Sequence, residues 1–220
     1  LIKEELSEFK DKKPIYIRIN DISTPYWEQD LNDAVSYGAK GVIVPKSEDE
    51  EGTRLVCNKI RRISEKTDFE VIPLLETAKG VQFAYEIASA DSLVTNLSFG
   101  YIDFSLDVGC EVTSGEEELL YARSKIVIAS RAAGKGHPID AVYPDLKNPE
   151  GLRNETALAK RLGFRGKLII HPKQIETVHQ VFTPGKRELQ EAAEIVNKFE
   201  EAERQGVASI SVNNKLVDYP

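Results

Sequence analysis

Pro73-Leu-Leu-Glu-Thr-Ala-Lys-Gly80 and, further on, Ser98-Phe-Gly-Tyr-Ile-Asp-Phe-Ser-Leu-Asp-Val-Gly109 decide the fold. In each, an apolar run ends on a carboxylate that is followed by small residues or glycine. An apolar run bounded this way reads as a buried strand with its acid at the carboxyl end. In parallel α/β architectures, ligands and metals bind at that end. Glu76 and Asp103 therefore form the first candidate pair. Two strand-end acids side by side suit a hard divalent ion such as Mg²⁺, which takes oxygen ligands and keeps water and substrate in its other positions. The competing reading makes each acid a cap on the helix that follows it.

Outward from this pair, strands and helices alternate with short loops, the rhythm of a parallel sheet covered by helices. Pro14-Ile-Tyr-Ile-Arg-Ile-Asn20 alternates: Ile15, Ile17 and Ile19 on one face, Tyr16, Arg18 and Asn20 on the other. Arg and Asn on a strand face fit a buried sheet only where that face lines a site. Trp27 to Tyr37 reads as an amphipathic helix that ends at Gly38, a left-handed cap. Gly41-Val-Ile-Val-Pro-Lys46 is the next strand. A charged helix over Glu48 to Lys66 carries its apolar stripe on Leu55, Val56, Ile60 and Ile63. Phe69 to Leu75 delivers Glu76, Gly80 to Ala88 is a helix, and Ser92 to Phe99 leads to Asp103. Then come a helix over Glu116 to Ala133, a strand at Ile139 to Tyr143, a helix at Glu150 to Leu162 and a strand at Gly166 to Pro172. Helices follow at Gln174 to Phe182 and Lys186 to Gln205. Val207 to Asp218 reads as a hairpin turning at Asn213-Asn214. Residues 1–13 are helix-compatible, with Leu1, Ile2, Leu6 and Phe9 on one stripe.

Composition narrows the field. At 220 residues and 41% hydrophobic, the chain can build one substantial core. The formal charge of -7, with Lys and Arg scattered through helices, argues against nucleic acid as a partner. No apolar run approaches the ~20 residues of a membrane helix, and the N-terminus has no signal-peptide pattern. Cys57 and Cys110 make no disulfide framework and read as reduced thiols, which fits a cytoplasmic protein.

The other chemistry-bearing residues each admit two readings. Arg18 can bind a carboxylate bidentately or stabilise an oxyanion, or it can form a structural ion pair with an acid such as Glu76. Lys46, at its own strand end, is an anion contact, a Schiff-base nucleophile or a solvated lysine. Asp107 and Glu111 follow Asp103 in a loop and read as caps. Glu116-Glu-Glu118 is an acid run favoured at a helix N-terminus. Of His137, His171 and His179, none pairs with another at metal spacing. Arg131-Ala-Ala-Gly-Lys-Gly136 lacks phosphate-loop spacing and reads as a helix stop.

Taken together, seven pieces resemble one family. Ile17-Arg-Ile-Asn20, Gly41-Val-Ile-Val-Pro-Lys46, Leu74-Leu-Glu-Thr77, Ser98-Phe-Gly-Tyr-Ile-Asp103, Ser130-Arg-Ala-Ala-Gly134, Pro138-Ile-Asp-Ala-Val-Tyr143 and Gly163-Phe-Arg-Gly-Lys-Leu-Ile-Ile-His-Pro172 occur in its order. The chain resembles the citrate lyase beta subunit and its acyl-CoA lyase relatives, in the HpcH-HpaI aldolase superfamily. The resemblance implies a TIM (β/α)₈-type barrel over residues 1–206, without the family's first two βα units. It implies a C-terminal segment, 207–220, that contacts a neighbouring subunit of a homotrimer. It implies that Glu76 and Asp103 bind Mg²⁺ and that Arg18 contacts the substrate. Asp218 would act as acid or base from the neighbouring subunit. The implied reaction is Mg²⁺-dependent cleavage of a 3-hydroxy-acyl thioester on CoA or an acyl carrier. The alternatives are a metal-dependent pyruvate-type aldolase acting on free 2-oxo acids and a non-catalytic ligand-binding relative. Three departures stand beside the resemblance. The family's acidic Asp-Leu-Glu-Asp strand has no counterpart here, Ile102 occupies a place usually held by an acid, and no helix follows the Asp218 segment.

Overall fold

A computed structural model describes residue 4 and residues 12–64, 68–212 and 215–218. The helix expected over residues 1–13 falls almost wholly outside these residues, and so does the turn at Asn213-Asn214. Six parallel strands form one sheet in sequence order. They are β1 (Tyr16–Arg18), β2 (Gly41–Val44), β3 (Glu70–Leu75), β4 (Ser98–Phe99), β5 (Ile139–Asp140) and β6 (Gly166–Lys167). Between and after them run α1 (Trp27–Tyr37), α2 (Glu50–Ile63), α3 (Ala78–Gln82), α4 (Ala84–Ser89), α5 (Tyr101–Val108), α6 (Glu117–Ala132), α7 (Pro149–Leu162), α8 (Ile175–Phe182) and α9 (Lys186–Arg204). An antiparallel hairpin closes the sequence, β7 (Ser209–Val212) with β8 (Lys215–Asp218), and it packs against α9.

The sheet is curled. Tyr16 near its first edge and Leu168 beyond its last line the same cavity as Ile43, Ile72 and Ile139. One pleat face therefore points into the concavity, with Tyr16, Ile43 and Ile72 on it, and the other faces the helices. Two cores fill the helix side. Ile19, Leu31, Ala34, Val42, Val44, Val56, Ile60 and Val71 form one, under α1 and α2. Leu75, Ile87, Leu97, Phe99, Phe104, Leu119, Ile126, Ala159 and Phe164 form the other, under α4 to α7. β3 contributes to both. A chain that alternates strand and helix buries continuous apolar strands between layers in this way.

Several boundaries differ from the sequence reading. On α2 the buried stripe is Thr53, Val56, Cys57 and Ile60, and Leu55 is 50% exposed. It lies one residue, about 100°, off that i, i+3, i+4, i+7 stripe. The expected helix over Gly80 to Ala88 breaks at Phe83 into α3 and α4. The expected strand over Ser92 to Phe99 pairs only at Ser98–Phe99, with an isolated bridge between Val71 and Val94. Beyond Gly166–Lys167 the last expected strand leaves the sheet. His171 then caps a single 3₁₀ turn, its Nδ1 accepting from the Lys173 N–H at 3.1 Å. Gly38 is left-handed, as its place after α1 requires.

Candidate active site

Glu76 follows β3 directly and is 6% exposed. The turn after β2 holds it. Lys46 has a left-handed backbone, φ 45°, a conformation that costs a non-glycine residue roughly 1–2 kcal/mol. The turn sends the Lys46 N–H to Glu76 Oε1 at 2.9 Å, and the next N–H, of Ser47, goes to the Leu74 carbonyl at 3.2 Å. Such strain persists where surrounding structure enforces it and gathers at functional sites. On the other side Glu76 packs against Gly100. A Cβ there would sit 2.8 Å from Glu76 Cβ and 2.9 Å from Oε2, so glycine at position 100 is a spatial requirement.

Asp103 is displaced from its expected place. It stands in the first turn of α5, and the segment read as a loop is helical to Val108. Tyr101 and Phe104 on α5 are buried, and Gly109, φ 71°, stops the helix. Asp103 and Arg18 are both exposed, Arg18 at the carboxyl end of β1. Their charges converge on Glu76. Burial pushes the Glu76 carboxyl above its ordinary pKa; the Lys46 N–H pulls it down, Asp103 pushes it up, and Arg18 and Lys46 pull it down. The structure thus gathers Glu76, Asp103, Arg18 and Lys46 into one electrostatic field, with burial and Asp103 left partly uncompensated. A divalent cation beside these carboxylates would supply positive charge there. Among the described residues no group of three or more His, Cys, Asp and Glu side chains could hold a metal. Glu76 and Asp103 would offer an ion two carboxylates and leave its other positions open. That suits Mg²⁺, which commonly binds one or two carboxylates and keeps waters and substrate oxygens.

Asp218 lies elsewhere. It is exposed at the end of β8, opposite Ser209, on the hairpin against α9. Lys46 is exposed and faces the site through its backbone. Asp107 accepts from the Ala78 N–H at 2.7 Å and so caps α3.

The sequence reading missed a buried ion cluster. Arg123, fully buried on α6, donates through Nε to Asp140 at 2.9 Å, through Nη1 to Glu116 at 2.9 Å and through Nη2 to Glu155 at 3.4 Å. Lys167 donates to Asp140 at 2.8 Å and to Glu155. Three acids meet two cations. Burial pushes the Glu155 carboxyl up to about 8, against the pull of Lys167 and with a further push from Glu116. A proton on Glu155 would balance the charges of the cluster. Arg123 also lies 6.0 Å from the ring centroids of Phe99 and Tyr101, beneath the start of α5. The signal was available: Arg123 sits on the stripe Leu119, Ala122, Ile126, where a charge needs buried partners.

Residues 6–172 match the HpcH/HpaI aldolase/citrate lyase family. The chain belongs to that family. It is 34% identical over 209 residues to citrate lyase subunit beta of Haemophilus influenzae, covering 93% of this chain and 72% of that protein. It is 30% identical over 233 residues to an L-malyl-CoA/beta-methylmalyl-CoA lyase of Cereibacter sphaeroides, covering 94% and 72%. Protein CitE of Mycobacterium tuberculosis, solved in complex with magnesium, acetoacetate and coenzyme A, superimposes with a TM-score of 0.72 at 26% identity, over 98% of this chain and 78% of that one. Both family segments that hold the acid pair, Leu74 to Thr77 and Ser98 to Asp103, lie inside the matched range.

Proposed function

We propose that this member of the family is a Mg²⁺-dependent carbon–carbon lyase. Its substrate is a carboxylate-bearing 3-hydroxy-acyl thioester of citryl, citramalyl or malyl type, and its products are an acyl thioester and a 2-oxo acid. One observation supports this above the others: a buried Glu76 at the carboxyl end of β3, held by the Lys46 N–H, with Arg18 at the end of β1 and Asp103 in the first turn of α5 acting on its charge. Glu76 and Asp103 are the residues that would hold Mg²⁺, which when bound supplies Lewis acidity to the substrate's hydroxyl and carboxylate oxygens. Arg18 brings a fixed positive charge to the thioester carbonyl, where negative charge gathers as the enolate forms. The hydroxyl proton leaves to a base and the carbon–carbon bond breaks. Its electron pair passes to the thioester as enolate, and an acid returns a proton to carbon. We assign that last role to Asp218 from a neighbouring copy, where the β7–β8 hairpin that carries it packs on α9 of its own chain.

The same reading makes the six strands part of a TIM-type (β/α)₈ barrel in a cytoplasmic homotrimer, with residues 207–220 reaching the next subunit. Among the described residues no helix is long and apolar enough to cross a membrane. The test is turnover of citryl, citramalyl and malyl thioesters against the corresponding free acids and 2-oxo-3-deoxy sugar acids, with Mg²⁺ and with chelator. Thioester cleavage that disappears on chelation is expected. Cleavage of free acids alone would replace this assignment with a pyruvate-type aldolase.

A further inference from the structure

We infer that Asp107 is a positioning residue that sets the separation of Glu76 and Asp103 before any metal arrives. This rests on reading those two acids as the Mg²⁺ ligands. Asp107 lies one turn beyond Asp103 on α5, on the same side of the helix at i+4. Its Oδ2 accepts from the Ala78 N–H at 2.7 Å, across 29 residues of sequence. Ala78 is two residues past Glu76 and opens α3, where Thr77 Oγ1 satisfies the Gly80 N–H at 3.1 Å. One hydrogen bond thus joins the backbone that carries one acid to the helix that carries the other.

The bond has work to do because the two acids repel. Glu76 stands at the end of β3 and Asp103 in the first turn of α5, and like charges that face one site disfavour each other's approach. The start of α5 is pinned by the fit of Gly100 against Glu76 and by the edge-to-face pair of Phe99 and Phe104, centroids 5.5 Å apart. Its second turn is pinned to α3 by Asp107. A hydrogen bond to a charged acceptor is of the strong kind, and it costs little to form on binding because it already exists in the free protein.

Two substitutions cut the link from opposite ends. Asp107→Ala removes the acceptor. Ala78→Pro removes the donor and leaves the carboxylate; proline is tolerated at the first helical position, and Thr77 before it is already extended. Mg²⁺ titrations by calorimetry are run on the wild type, both variants and the double variant, with thermal unfolding of each in chelator. Each single change is expected to raise the Mg²⁺ dissociation constant roughly tenfold, about 1.4 kcal/mol, and the double variant no further. Wild-type affinity in both variants overturns the inference and leaves the metal site standing, and a drop only in the chelator melting temperature has the same meaning. Loss with Asp107→Ala but not Ala78→Pro shows the carboxylate acting on the ion directly, which also overturns it. A wild type that binds no Mg²⁺ removes the metal site itself, and the inference with it.

Discussion

Replacing Glu76 with Gln separates what the side chain does for the fold from what it does for the ion. The two side chains are nearly isosteric, so the fit against Gly100 survives. The Lys46 N–H keeps an acceptor, but a neutral one: the bond falls from the ~1.5–3 kcal/mol class of charged partners toward ~0.5–1.5 kcal/mol. Against that loss of about 1 kcal/mol stands the removal of a buried charge facing Asp103. The Mg²⁺-free stability should therefore change by less than about 1 kcal/mol, or ~2–4 °C for a chain of this length. Binding behaves differently. At Mg²⁺ about a hundred times the dissociation constant, the wild type gains ~2.7 kcal/mol, or ~5–10 °C, and the variant gains nothing. Thermal unfolding with Mg²⁺ and with chelator measures both quantities. The wild-type shift should shrink on acidification and begin to shrink at a higher pH than an ordinary glutamate would dictate. Burial raises the Glu76 pKa, and only its deprotonated form binds. A variant that keeps a wild-type Mg²⁺ shift would refute Glu76 as a ligand. A chelator melting temperature more than about 10 °C below wild type would make it a structural keystone instead.

Gly100→Ala should force the Glu76 carboxylate off the Lys46 N–H. Overpacking of this kind costs about 1–3 kcal/mol, and both melting temperature and Mg²⁺ affinity should fall. Unchanged values in both would contradict the close fit. Glu155→Gln should leave stability at pH 6 within about 1 kcal/mol of wild type, because Gln mimics the protonated acid. The folded protein binds a proton on Glu155 up to about pH 8, whereas an unfolded glutamate has lost it near 4.5, so the wild type loses stability across that window as pH rises. Denaturant titrations at pH 6, 7.5 and 9 should show the variant gaining on wild type as pH rises, and a widening deficit would refute the protonated state.

The place of Glu76 at the end of a buried strand was legible because an apolar run ends on it, while the cap of the following helix fell to Thr77. Asp103 was legible as a residue but not as a place. The run Ser98 to Gly109 has apolar residues at both the strand and helix spacings, and Gly100 breaks it only in three dimensions, where it must make room for Glu76. Leu55 was misjudged for a smaller reason: it adjoins Val56 in sequence, and one position of drift moves a side chain about 100° round α2. The Arg123 cluster was half legible: Arg123 on an apolar stripe called for buried partners, but those partners come from β5, α7 and β6 and only the fold names them. Glu116 alone reads as a helix-terminal acid, and only the fold shows that it is buried and faces a guanidinium. Local pattern carries the elements; pairings between distant charges need the packing.

The site is assembled from two cores, which explains why it sits at β3. Arg18 and Lys46 come from β1 and from the turn after β2, backed by Ile19, Val42 and Val44 in one cluster. Asp103 comes from α5, backed by Tyr101 and Phe104 in the other. Among the described residues β3 is the strand shared by both, with Val71 in the first cluster and Leu75 in the second, and Glu76 leaves its end between them. The Lys46 N–H fixes Glu76 to the first cluster, and the Gly100 contact fixes it to the second. Packed interiors deform little, so two rigid bodies keyed to one strand can hold opposed carboxylates at a set spacing without a closed cage of ligands. An open site of two carboxylates, as proposed, would leave ion positions for a substrate, and catalysis by orientation is sensitive to shifts near 1 Å. The Asp107–Ala78 link lies on the second cluster's side of this seam, joining α3, which carries Val81, to α5, which carries Tyr101 and Phe104.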